Sequence, residues 1–236
     1  MSLLTNPLTI KIENYLFNNK EMVNDEKHYY FWIIDIEEEK DVKHALDFFE
    51  EIFIDSIFLK YEKKYLMFYF REIDFDIENI INSMIDDFSF KIRIYASSRM
   101  DSKKREDFFS VYSLYKKYLS NKSKLYMTNV DLGNEIIGLN INDLRVIKPI
   151  ILNKLQDDPQ MEILIQAMFK NNLNVTQTAN DIYMHRNTVI KKLDYIKKET
   201  GFNIQKFYDA NIMSWIIKIR WNNVHVAHCF YNLFKV

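Results

Sequence analysis

NVTQTANDIYMHRNTVIKKLDYIKKETGFNI, Asn174 to Ile204, carries two short helical patterns separated by a few residues. In the first, Thr176 stands where it can cap a helix running through Tyr183, and small Ala179 lies where a second helix must approach closely. Met184 reads as a buried turn residue. His185 falls where the second helix needs its cap, and Val189, Leu193 and Ile196 recur at i, i+4 and i+7 as its inner stripe. Gly201 then ends that helix in the left-handed conformation that glycine adopts most readily. Two short helices sharing these offsets form a helix-turn-helix.

The outer face of the second helix shows Arg186, Asn187, Ile190, Lys191, Asp194 and Lys198. In such motifs the first turn of the second helix meets base edges in the major groove. Arg186 suits a bidentate contact to guanine and Asn187 one to adenine, each worth roughly 1–3 kcal/mol of discrimination. Thr176, Gln177, Thr188, Lys191 and Lys192 suit phosphates, which fix register without reading sequence. His185 completes the DNA-facing set, with a cap or turn contact as its ordinary role in place of catalysis.

Upstream, Asp158-Pro159 pairs a carboxylate cap with proline at the first helical position, opening a helix to about Lys170 with Met161, Leu164, Ala167 and Met168 on one face. Helical spacing from Ile141 to Leu155 reads as a connector. The first half has a different grammar. Tyr29–Ile36 (YYFWIIDI) reads as a buried strand, and Asp41–Ile54 as a helix capped by Asp41 with Val42, Leu46, Phe49 and Phe53 inside. Ser56–Phe70 holds a hairpin broken at Glu62-Lys63-Lys64, Asp76–Asp87 a second helix, and Phe88–Tyr95 an alternating strand. That order, βαββαβ, predicts a ferredoxin-like antiparallel sheet with two helices on one face. A helix at Arg105–Leu119 and a strand at Lys124–Thr128 complete it, and the fold class is α+β followed by an all-α helix-turn-helix domain.

The expected division is a 1–25 N-terminal segment, a 26–130 α+β domain, a 131–156 connector, a 157–222 helix-turn-helix domain and a 223–236 tail. From Asp157 onward ten Lys or Arg face seven Asp or Glu, while the first 156 residues hold 22 basic and 26 acidic side chains. A basic third on an acidic body suits a nucleic-acid module.

Composition removes several function classes. Glycine occurs 3 times in 236 residues, and no two glycines are close enough to cradle a phosphate, which excludes the P-loop and the Rossmann fingerprint. One cysteine, Cys229, excludes an internal disulfide framework. The absence of a secretory leader pattern and of an apolar run long enough to span a bilayer gives a cytoplasmic expectation with no membrane association.

The run IYMHRNTVIKKLDYIKKETGFNI resembles the C-terminal helix-turn-helix of the bacterial PucR and CdaR transcriptional regulators. Ile182, Tyr183, Met184, His185, Arg186, Asn187, Thr188, Leu193, Thr200 and Gly201 fall on the family pattern, as do Ala179 and the Asn171–Asn174 turn. The resemblance covers roughly Asp157 to Arg220. It departs at Lys191-Lys192-Leu193, where the family usually has Tyr-Arg-Leu; lysine keeps the charge but loses the planar fork of arginine. The tail from Trp221 also runs past the point where the family is expected to stop. The resemblance implies that the first half is a degenerate relative of the GGDEF cyclase domain. The hairpin Lys60–Tyr65 lacks the signature glycines, and Asp35 reads as a relic of a metal-binding carboxylate without its partners.

The expectation is a non-enzymatic regulator that binds double-stranded DNA as a homodimer, without cofactor or metal, the first half serving dimerisation or sensing of a small-molecule effector. Two alternatives stand beside it: a nucleotide-binding module, and a helix-turn-helix that contacts protein. His225, His228 and Cys229 offer metal-compatible side chains but lack a fourth ligand, and the apolar residues around them favour a docking or dimerisation tail.

Overall fold

The computed structural model describes residues 7–22, 26–73, 77–88, 91–137 and 140–218. The chain divides into two compact units, Met1–Asn129 and Val130–Val236.

In the first unit β1 (His28–Ile36) is the central strand. It lies between β3 (Lys64–Tyr69) and β4 (Ile92–Ala96), both antiparallel to it, with Phe31 opposite Phe68 and Trp32 opposite Ala96. β2 (Ile57–Tyr61) pairs antiparallel with β3, so these four strands run in the order β2-β3-β1-β4 of a ferredoxin-like sheet. β5 (Met100–Asp101) adds a short pairing to β1. β6 (Tyr126–Thr128) runs parallel to β4, a geometry that needs a crossover, supplied by α4 (Arg105–Tyr118).

The sheet is covered on both faces, whereas the sequence pattern predicts helices on one. α2 (Val42–Ile52) and α3 (Ile77–Phe88) lay Ala45, Leu46, Phe49, Ile81 and Met84 against Trp32, Ile34, Met67 and Ile94. The other face is closed by α4 and by α1 (Pro7–Asn18). Phe31 meets Phe108 edge-on at 5.0 Å, and Tyr15 meets Tyr29 at 6.0 Å. This explains why Tyr29–Ile36 reads as a continuous apolar run: a strand buried on both sides has no polar face to alternate with. It also draws the expected 1–25 segment into the unit, where Thr9 donates its hydroxyl to the Phe58 carbonyl at 3.0 Å. Asp41 does not cap α2 with its side chain, because a 3-10 turn over Glu39–Asp41 leads into that helix and leaves Asp41 helical at φ −86°.

The second unit is helical. α5 (Asn129–Ile137) leads into it, followed by α6 (Ile141–Leu152), α7 (Pro159–Lys170), α8 (Val175–Asp181), α9 (Arg186–Thr200) and α10 (Phe207–Lys218). The stretch expected to act as a connector packs into this unit, since Leu144, Ile147 and Ile151 are buried and α6 touches α9 and α10. Gly133 marks a close approach: a Cβ there would stand 3.0 Å from the Cγ2 of Ile212. Among the described residues no helix is long and apolar enough to cross a membrane.

Candidate nucleic-acid interface

α8 starts at a cap two residues earlier than the sequence pattern predicts. The Asn174 side chain accepts from the backbone N–H of Thr176 at 3.0 Å and of Gln177 at 3.1 Å, so Asn174, not Thr176, caps the helix. The cause lies in the preceding asparagine turn, where Asn172 and Leu173 take left-handed φ values of 52° and 63°. That turn delivers Asn174 in the extended conformation a cap requires. Thr176 and Gln177 then sit in the exposed first turn of α8.

α9 is entered through Ile182–His185. Met184 donates its N–H to the Ala179 carbonyl at 2.9 Å, folding the turn back on α8. Met184 is half-buried, not buried as its place in the motif predicts. His185 caps α9, its Nδ1 accepting the Asn187 N–H at 3.2 Å. The far end of α9 is held as firmly. Thr200 Oγ1 donates to the Ile196 carbonyl at 2.7 Å and accepts from Phe202 N–H at 3.1 Å, while Gly201 closes the helix at φ 81°.

Between these ends the two sides of α9 diverge. Val189, Leu193, Ile196 and Thr200 are buried. Asn187, Lys191, Asp194 and Lys198 form the opposite, exposed stripe, with Arg186 and Thr188 exposed at its start. The helix carries five basic and two acidic side chains, and one of the acids, Glu199, is fully buried. Among the described residues the side chains of Arg186, Asn187, Thr188 and Lys191 make no hydrogen bond or ion pair. Lys192 differs, being half-buried with its Nζ 3.4 Å from Gln160 Oε1, and Ile190 is half-buried.

The other charges of this unit hold the scaffold. Lys170 Nζ reaches Asp181 at 2.9 and 3.2 Å, and Asn171 Nδ2 reaches the same carboxylate at 3.3 Å, tying the end of α7 to the end of α8. Those hydrogen bonds, Lys170 first, hold the Asp181 carboxyl below its usual range. An open, mostly apolar groove of about 440 Å³ lies beside α7 and α10, lined by Phe169, Leu173, Phe207 and Ala210 among others. Neither this groove nor the exposure of Tyr183 in the turn has a signature in the sequence, because both depend on how the helices pack.

In the first unit, Asp35 is not free to serve as a metal ligand. It is nearly buried, lies within 2.7 Å of the Arg93 guanidinium and is also in contact with Lys64 Nζ. Across the hairpin turn, Glu62 takes Lys116 Nζ at 2.8 Å and the Tyr112 hydroxyl at 3.3 Å. Among the described residues no cluster of three or more His, Cys, Asp or Glu is placed to hold a metal ion. His225, His228 and Cys229 lie outside the described residues.

No curated protein sequence matches the chain. Among solved structures it is similar to a regulator of polyketide synthase expression from Bifidobacterium adolescentis, at 14% identity over 88% of this chain and 89% of that one, with a TM-score of 0.39. Residues 164–212, from within α7 through α8 and α9 into α10, match the family model of the PucR C-terminal helix-turn-helix domain, so this stretch carries the DNA-binding motif of a transcription regulator.

Proposed function

We propose that the chain is a cytoplasmic transcriptional regulator of the PucR/CdaR type that binds double-stranded DNA as a homodimer. The observation that carries this reading is α9 itself: a helix locked at both ends and along one side, whose other side presents Arg186, Asn187, Thr188 and Lys191 without side-chain partners among the described residues. Side chains that cost nothing to withdraw from internal bonds are ready to meet an external ligand. Their chemistry, a guanidinium, an amide, a hydroxyl and an ammonium, is that of base edges and phosphates. Arg186 and Asn187 read bases. Thr176, Gln177, Thr188, Lys191 and Lys192 hold phosphates, Lys192 after leaving Gln160, and His185 fixes the start of the recognition helix. Paired half-sites about 34–36 Å apart follow from two such helices related by a two-fold axis.

The 26–130 sheet domain is proposed to be a degenerate GGDEF-like domain that dimerises or senses a small-molecule effector, not one that catalyses. The pairing of Asp35 with Lys64 and Arg93 supports this, since a carboxylate already neutralised by two cations attracts a divalent ion weakly.

The test is binding of the purified protein to fragments from its own upstream region, followed by fluorescence anisotropy at two salt concentrations beside the R186A/N187A variant. Sequence-selective binding that weakens steeply with salt and loses its selectivity in the variant is the expected result. Folded protein that binds none of the fragments, or binds them all alike with and without the two side chains, overturns the reading.

A further inference from the structure

Tyr183 occupies the position of the inter-helix turn that helix-turn-helix motifs often give to glycine. Its backbone explains that preference: φ is 55°, a left-handed conformation in which a side chain with a Cβ is strained. Among the described residues its side chain gives nothing in return. The ring is 96% exposed, the largest exposure of any big hydrophobic residue described. Among the described residues it makes no ring contact, and its hydroxyl makes no hydrogen bond. The turn is held instead by backbone, through Ile182 N–H to the Thr178 carbonyl at 3.1 Å and Met184 N–H to the Ala179 carbonyl at 2.9 Å. A glycine would make the same bonds without the strain.

An aromatic residue that is strained and unpacked in the free protein has its favourable contact elsewhere. Tyr183 stands two residues before the His185 cap, at the mouth of the recognition helix. A phenol there has one strong polar function, a neutral O–H donor, and tyrosine hydroxyls belong to the usual donors to phosphate oxygens. We infer that Tyr183 is a further DNA-contact residue, donating its hydroxyl to a backbone phosphate beside the site read by Arg186 and Asn187. This rests on the DNA-binding reading of α9. The contact is positional: it strengthens binding to every sequence alike and, being uncharged, releases no counterion.

The experiment compares full-length wild type, Y183G, Y183F and R186A/N187A by anisotropy on an upstream fragment and on an unrelated fragment, with thermal unfolding of each protein. The expected outcome is a divergence of stability and function. Y183G unfolds about 2–4 °C higher because the turn is relaxed, yet binds both fragments roughly tenfold more weakly, with an unchanged salt slope. Y183F, which keeps the ring and loses only the O–H, weakens both fragments in the same way. R186A/N187A loses the difference between fragments. Y183G binding as wild type overturns the contact. Y183F binding as wild type while Y183G weakens overturns the hydroxyl-to-phosphate assignment in favour of ring packing. A Y183G that unfolds at lower temperature shows that the ring supports the turn, which also overturns the inference. Wild type that binds no DNA sinks the reading of α9 together with this one, whereas the preceding outcomes sink only this one.

Discussion

The sheet unit and α9 of the helical unit differ in where their polar side chains find partners, although Lys170 and Asp181 pair elsewhere in the helical unit. In the sheet unit charges close on each other: Asp35 on Lys64 and Arg93, Glu62 on Lys116, Glu38 on Lys40. Many of its tyrosines are drawn into the interior, Tyr29 and Tyr115 completely. In the helical unit, among the described residues, α9 leaves the side chains of Arg186, Asn187 and Lys191 without internal partners, and the turn before it leaves Tyr183 exposed. Exposed side chains without an internal partner are hydrated, and meeting an external group exchanges that water without breaking a bond inside the unit.

The strongest way to break that comparison is to damage the sheet. Trp32 is fully buried and meets Phe49 and Phe53 edge-on at 5.4 and 4.8 Å. Trp32→Ala is expected to cost about 3–5 kcal/mol through lost burial and the cavity left behind. Hydrogen exchange read separately on β1 and α9 checks this: protection falls in β1 and persists in α9. Equal loss in both means that the two units unfold as one, and the contrast between them has no energetic meaning.

Alkali probes the same contrast more gently. Burial pushes the Tyr15 and Tyr115 hydroxyls up to about 12, and for Tyr115 the Asp35 carboxylate adds to the effect. A folded-state value above the unfolded value of about 10 means stability that is complete below pH 10 and is lost as pH rises toward 12. The helical unit buries no tyrosine among the described residues. Protection of β1 should therefore decline across that pH range before protection of α9; decline of α9 first contradicts it.

The smallest effect sharpens the helical side. Asn174→Ala removes the acceptor of two N–H groups at the start of α8 and should cost about 1 kcal/mol. Thr176→Ala, at the position where the sequence pattern places the cap, should change stability by no more than about 0.5 kcal/mol. Thermal unfolding of the pair decides which residue caps the helix.

Much of the candidate site is legible in the sequence because it is built from local rules. The 3.6-residue period separates Val189, Leu193 and Ile196 from Asn187, Lys191 and Asp194, and the structure buries the first set and exposes the second. Gly201 announces the end of α9 by the same local logic. Caps are legible only where the flanking turn is simple. Asp158 caps α7 as its place before Pro159 predicts, whereas the left-handed pair Asn172-Leu173 moves the α8 cap to Asn174, and a 3-10 turn removes Asp41 from that role. These shifts arise from the conformation of the residues before the helix, which composition does not encode.

By itself the sequence determined the βαββαβ order, the helices of the described C-terminal residues and the outward stripe Asn187, Lys191, Asp194 and Lys198 on α9, though not the half-burial of Ile190 and Lys192, since each follows from contacts within a few residues along the chain. Only the tertiary structure decided that both faces of the sheet are covered, that Asp35 is bound between Lys64 and Arg93, and that the side chain of Tyr183 is exposed. Those depend on groups brought together from distant positions, where the identity of the partner is set by packing and burial and not by spacing.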